Sequence, residues 1–113
     1  GEKMSAIKYL EAWNQTMATK TEEPLASLLH DSFHMHSPRH GESTPKEEHL
    51  KWCVNEGPDS IGDFKVLYEA NGVMVGTHSA TFGDEKLLVM YYGKEKNGKL
   101  TEWTINSGPL ETS

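Results

Sequence analysis

Apolar side chains at Ala6, Leu10, Trp13 and Met17 recur at the three-to-four-residue spacing of one helix face, and Ile7 and Tyr9 widen that stripe. Lys8, Glu11, Asn14 and Gln15 occupy the opposite face. The pattern predicts a helix over 4–19, with Lys20 just beyond it, where the helix dipole favours a cation. A second, short helix is expected from Glu22 to His30. Thr21 would cap it, Glu22, Glu23 and Pro24 suit a first turn, and Leu25, Leu28 and Leu29 are its apolar residues. A third helix is marked at both ends. Thr44-Pro45-Lys46-Glu47 reads as N-cap, first-turn proline and capping-box glutamate, and Gly57-Pro58 as a left-handed cap followed by a helix breaker. Leu50, Cys53 and Val54 form its stripe.

Ser32 to Ser37, between the second and third helices, reads as a strand ending at Pro38 and Gly41. Beyond Gly57 the period falls to two. Phe64, Val66, Tyr68 and Ala70 alternate with Lys65, Leu67 and Glu69. Asn71-Gly72 is a two-residue hairpin turn, because both residue types tolerate positive φ. A strand over 73–82 turns at Gly83-Asp84, one over 86–95 turns at Asn97-Gly98, and a last strand runs from Leu100 to Ser107. Helices first and a meander after them predict an α+β fold, three N-terminal helices lying against one face of an antiparallel sheet.

The length of 113 residues fits one domain, 1–113, able to bury a core without disulfides or metal. The net charge of −6 argues against a nucleic-acid partner and against adsorption to anionic lipid. Cys53 is the one cysteine, which excludes an intrachain disulfide and fits a reducing compartment. No apolar run reaches the roughly 18 residues of a membrane span, and Gly1-Glu2-Lys3-Met4 leads into an amphipathic segment without a signal-peptide core. The expected location is the cytoplasm.

Two stretches of text point further. Leu29-His30-Asp31-Ser32-Phe33, followed by Pro38 and Gly41, resembles the segment after the second helix in the NTF2-like (SnoaL-like) superfamily. Asn97-Gly98-Lys99-Leu100-Thr101-Glu102-Trp103 is similar to the start of that group's last strand. The resemblance spans nearly the whole chain. It implies a cone-like fold, with a curved sheet wrapped around the helices and enclosing a pocket, and a homodimer formed through the outer sheet face. Within the group, the ketosteroid isomerases place an aspartate base where this chain has Ser37, a protonated aspartate at or near Met90, and a tyrosine at or near Trp13. All three positions depart from the pattern, so proton transfer at carbon lacks its groups. The strand Val66-Leu67-Tyr68-Glu69-Ala70-Asn71 and the pair Gly108-Pro109 look closer to an uncharacterised bacterial branch, which brings no assigned reaction.

Histidines are the sharpest chemical feature: His30, His34, His36 and His40 lie beside Asp31 within eleven residues. Asp31 orienting His34 or His36 would make a general base near neutral pH. In the family-like register, however, Phe33, Met35 and Ser37 face the pocket and turn both rings away unless a bulge intervenes. His34 and His36 with His49 or His78 would also be a divalent-metal set, but no metal-binding spacing backs it, and no metal or cofactor is expected. Glu69, Glu102 and His78 are strand residues that would matter chemically only if buried. Cys53, on an apolar stripe, reads as inert. The reading is a domain binding a small apolar or aromatic molecule. Its pocket residues are expected to be Tyr9, Trp13, Phe33, Met35, Ser37, Trp52, Tyr68, Met90, Tyr92 and Trp103. The alternative is a small cyclase, isomerase or lyase using His36, His34 and Asp31.

Overall fold

The computed structural model describes residues 5–37 and 41–109. Met4, Pro38 and His40, assigned above to the helix start, the strand end and the histidine cluster, lie outside them. The elements are α1 (Ala6–Thr19), β1 (Leu29–Ser37), β2 (Glu42–Pro45), α2 (Lys46–Asn55), β3 (Ser60–Ala70), β4 (Val73–Phe82), β5 (Glu85–Lys96) and β6 (Lys99–Pro109). One six-stranded sheet runs in the order β2-β1-β6-β5-β4-β3. Both helices pack against its inner face, α1 over β3 and α2 over β1. No helix among the described residues is long and apolar enough to cross a membrane.

Helix α1 forms as its stripe predicts, burying Ala6, Tyr9, Leu10, Trp13 and Met17. Ser5 caps it, its hydroxyl accepting the Lys8 N–H at 3.1 Å. Glu69 of β3 accepts the Ala6 N–H at 2.7 Å, which ties the helix start to the sheet. The helix ends at Lys20, held left-handed at φ 61° with its N–H on the Thr16 carbonyl. A Cβ is unfavourable in that region. Lys20→Gly is therefore expected to raise stability by about 0.5–1 kcal/mol, read as a higher urea midpoint at unchanged slope.

Two of the three expected helices form. The segment Glu22 to His30 contains only a single turn of 3-10 helix at Ala26–Leu28. Its polar groups bond locally instead. The Thr21 hydroxyl donates to the Glu23 carbonyl, and the Glu23 carboxylate accepts from the Ser27 N–H and hydroxyl. Such bonds compete with helix formation. Leu25 and Leu29 are both fully buried, and Leu29 already belongs to β1. In α2, Thr44 is not the cap: it lies in β2 opposite Met35, and Pro45 holds the cap position without a side-chain bond. Glu56 at φ −131° ends α2, so Gly57 is not a left-handed cap. Gly57 is instead closely packed, since a Cβ there would stand 3.2 Å from both the Cys53 carbonyl and the Met17 sulfur.

The meander β3-β4-β5-β6 is present, with Asn71, Gly72, Gly83, Asn97 and Gly98 at positive φ in its turns. The sheet is not wholly antiparallel, because β1 pairs parallel with β6, Met35 opposite Trp103. The chain reaches β3 from β1 through β2 and α2, so no hairpin dictates the direction of β1. Irregular register in β3, around Asp63 (φ 51°) and between Val66 and Tyr68, breaks the strand's parity; such bulges also bend sheets.

Three aromatic rings fill one end of the space beneath the sheet. Tyr91 stacks on Trp103 with centroids 4.7 Å apart, and Trp103 meets Tyr9 at 4.2 Å. Tyr91 lies over Gly76 and Trp103 over Gly93, whose missing side chains let these two rings approach the strands. Burial pushes the Tyr91 phenol up to about 12, so it stays protonated and donates to the Lys65 carbonyl at 3.0 Å.

Candidate functional site

At the other end of the inner face the space is not filled. A cavity of about 410 Å³ remains there. Trp13 comes from α1, His49 and Trp52 from α2, and Pro58 from the turn that follows. The strands contribute Met35 and Ser37 (β1), Thr44 (β2), Ala80 and Phe82 (β4), Leu87 and Val89 (β5), and Ile105 and Ser107 (β6). Trp13 and Trp52 approach with centroids 6.3 Å apart. None of the described lining residues is an aspartate, glutamate, lysine or arginine.

His49 anchors the polar side of α2. It is 1% exposed, and its Nε2 lies 3.2 Å from the Tyr9 hydroxyl and 3.6 Å from the Cys53 sulfur. Its ring packs between Phe33, at 5.2 Å, and Trp52, at 6.2 Å. Burial lowers its pKa to about 4, so it is neutral near pH 7. Burial raises the Tyr9 phenol well above its ordinary value, with a smaller push from Cys53. The Cys53 thiol is likewise raised by burial, against a smaller opposing contribution from Trp13, and is unreactive at neutral pH. His78 is also buried and neutral. Its Nδ1–H donates to the Ser79 carbonyl at 2.9 Å, and desolvation lowers its pKa.

Of the ten pocket residues expected from sequence, Trp13, Met35, Ser37 and Trp52 line the cavity. Tyr9, Phe33 and Trp103 are buried beneath it as core. Tyr68, Met90 and Tyr92 are 51%, 52% and 40% exposed on the outer face. The register explains the outward turn: Tyr68 pairs with Val75, Val75 with Tyr92, and Thr77 with Met90, all on the face away from the helices. Leu87 to Tyr92 is an unbroken apolar run, so alternation could not tell its two faces apart. Gly93, on the Val89 and Tyr91 side, is the sequence signal that would have chosen correctly. The reading also missed Thr44, His49, Pro58, Ala80, Phe82, Leu87, Val89, Ile105 and Ser107 as wall residues; Thr44 and Pro58 were legible only as helix-end signals.

His34 and His36 lie together on the opposite face, their rings stacked 6.3 Å apart. There they border a shallow surface with Ser32, Ser43, Thr101 and Glu102. The His34 Nδ1–H donates to the Ser32 carbonyl, while His36 Nε2 stands 3.5 Å from Glu102, which also pairs with Lys94 at 3.4 Å. Asp31 is fully exposed and pairs with Lys46 at 3.6 Å, away from both imidazoles. His49 and His78 are buried on the inner face, so neither joins His34 and His36 around a metal. No metal-holding group of three such residues occurs among the described residues.

No family model and no curated protein sequence matches the chain. Solved structures do. A Kribbella flavida protein provisionally assigned as a ketosteroid isomerase superposes with a TM-score of 0.76 at 17% identity, over 94% of this chain and 79% of that one. An NTF2-like protein of unknown function from Burkholderia xenovorans gives 0.74 at 14%, over 95% and 85%. The fold is NTF2-like. A third solved structure, a Catenulispora acidiphila protein of ketosteroid isomerase-like fold in complex with trimethylamine, gives 0.65 at 11%, over 89% and 85%. Identities this low speak for the fold alone. Of the positions matched above to isomerase groups, Ser37 and Trp13 line the cavity of this NTF2-like fold, while Met90 faces outward.

Proposed function

We propose that this chain binds a small apolar or aromatic molecule in the cavity between the sheet and its two helices. The observation that carries the reading is the cavity itself: about 410 Å³, walled by two tryptophans, Phe82 and aliphatic side chains, with a few hydroxyls. Size and wall chemistry fall in the range of small-molecule sites. The trimethylamine complex of the Catenulispora acidiphila protein supports ligand binding by this architecture. The proposal invokes no cofactor and does not extend to catalysis by His36, His34 and Asp31, which face away from the cavity.

Trp13 and Trp52 sit in the wall, so tryptophan fluorescence reports occupancy. Titration with 2-naphthol is expected to quench it saturably. Ala80→Phe, which places a ring in the cavity, should weaken binding at least tenfold while the circular dichroism spectrum is retained. Equal binding by the two proteins would sink the proposal.

The outer sheet face fits a homodimer. Leu88, Met90, Tyr92 and Tyr68 are 41%, 52%, 40% and 51% exposed, and Lys65, Lys86, Lys94 and Glu102 are charged residues around them. An apolar centre with a charged rim is the usual anatomy of a protein interface. Sedimentation equilibrium is expected to show a dimer at micromolar concentration, converted to monomer by Met90→Glu; a wild-type monomer would remove this assignment.

A further inference from the structure

We infer that the cavity selects uncharged ligands and binds them in one orientation, with a ring system against Trp13 and Trp52 and a single hydroxyl or carbonyl group toward Ser37 and Thr44. This rests on the ligand-binding function proposed above.

The hydroxyls of the described wall lie on one side of the strand order. The neighbouring strands β2, β1 and β6 bring Thr44, Ser37 and Ser107, beside the apolar Met35 and Ile105. Strands β5 and β4, farther along the sheet, bring Leu87, Val89, Ala80 and Phe82. The tryptophans are added from the helices. A ligand polar at both ends would leave one polar group against hydrocarbon, and an unpaired buried polar group is costly. A ligand with one polar end fits in one direction only.

Charge is excluded on separate grounds. No described wall residue is a carboxylate, ammonium or guanidinium to replace the water that a buried ion would lose. Among the described wall residues His49 alone carries an imidazole; its Nε2 is engaged by Tyr9 and Cys53, and its Nδ1 is buried without a partner. Burial lowers its pKa to about 4, so it offers an anion no countercharge at pH 7. The tryptophan faces would attract a cation, but without a carboxylate they replace only part of its hydration.

Four probes sharing one bicyclic ring separate the possibilities at pH 7.5: naphthalene, 2-naphthol, 2-naphthoate and 2-naphthyltrimethylammonium, followed by tryptophan quenching. The naphthol is expected to bind at least tenfold more tightly than either ion. In the Ser37→Ala/Thr44→Val double variant, naphthol affinity should fall about fivefold while naphthalene affinity stays within twofold. An ion that binds as tightly as naphthol overturns the charge selection. A double variant that leaves naphthol unaffected, or weakens naphthalene equally, overturns the orientation. In both cases the cavity remains a binding site. If none of the four binds, the proposed function itself falls, and this inference with it.

Discussion

Gly76→Ala is expected to destabilise the protein by roughly 3 kcal/mol or more, the upper end for overpacking against groups that cannot move aside. A Cβ at Gly76 would collide with the Lys65 carbonyl and with the Tyr91 ring and hydroxyl. These groups are locked together, because Tyr91 lies across Gly76 to reach that carbonyl. The carbonyl is backbone in a paired strand, so no side-chain rotation relieves the clash. Against a typical total stability of roughly 5–15 kcal/mol, such a loss leaves a barely folded protein. Gly108→Ala is the control: a Cβ there meets nothing within 4 Å, and the change should stay within about 0.5 kcal/mol. Urea denaturation of the two variants checks the pair. Equal midpoints would show that the tight approach at Gly76 is not needed.

Acidification below pH 6.5 is the second large effect. Burial lowers His49 from its ordinary 6.5 to about 4. In that window the unfolded chain takes up a proton that the folded chain refuses. Stability is therefore unaffected by His49 above pH 6.5, falls as pH drops through the window, and levels off below about 4. Each unit is worth about 1.4 kcal/mol, so the loss reaches roughly 2 kcal/mol by pH 5 and about 3 at its limit. His78, lowered by the same cause, acts in the same direction. Urea midpoints between pH 7.5 and 4.5 measure the slope. His49→Met removes the titrating group at similar volume, and the slope should flatten even though the Tyr9 hydroxyl loses its partner. An unchanged slope would mean that His49 is not held neutral by burial.

The histidine cluster shows how local text and location separate. His34-Met35-His36 was legible as a pair of imidazoles on one face, and the rings do stack there. Which face they share depended on the parity of β1, and the buried set Phe33, Met35 and Ser37 takes the inner one. His49, by contrast, had no motif of its own and entered the sequence reading only as a partner for His34 and His36 in a metal set. Its place beside Tyr9, forty residues earlier, comes from the packing of α2 against α1 and β1.

Short-range information was sufficient wherever the physics is short-range. The stripe of α1, the left-handed Asn-Gly turns and the hairpin meander follow from side-chain periodicity and backbone sterics within a few residues. The α+β class followed from their order, and the NTF2-like resemblance was carried by the segments starting at Leu29 and Asn97. Tertiary structure decided the rest. It replaced a helix over 22–30 with one turn, because Leu25 and Leu29 are buried in the core while Thr21 and Glu23 bond locally. It paired β1 parallel with β6 and shifted the register in β3, which turned Tyr68 outward. It left the cavity beside Ala80 and Val89 rather than beside Met90 and Tyr92. A strand's two faces differ by a single residue of register, and that register is set by partners distant in sequence. Where both faces are apolar, as from Leu87 to Tyr92, alternation is silent: Gly93 marks the inner face locally, and those partners choose it.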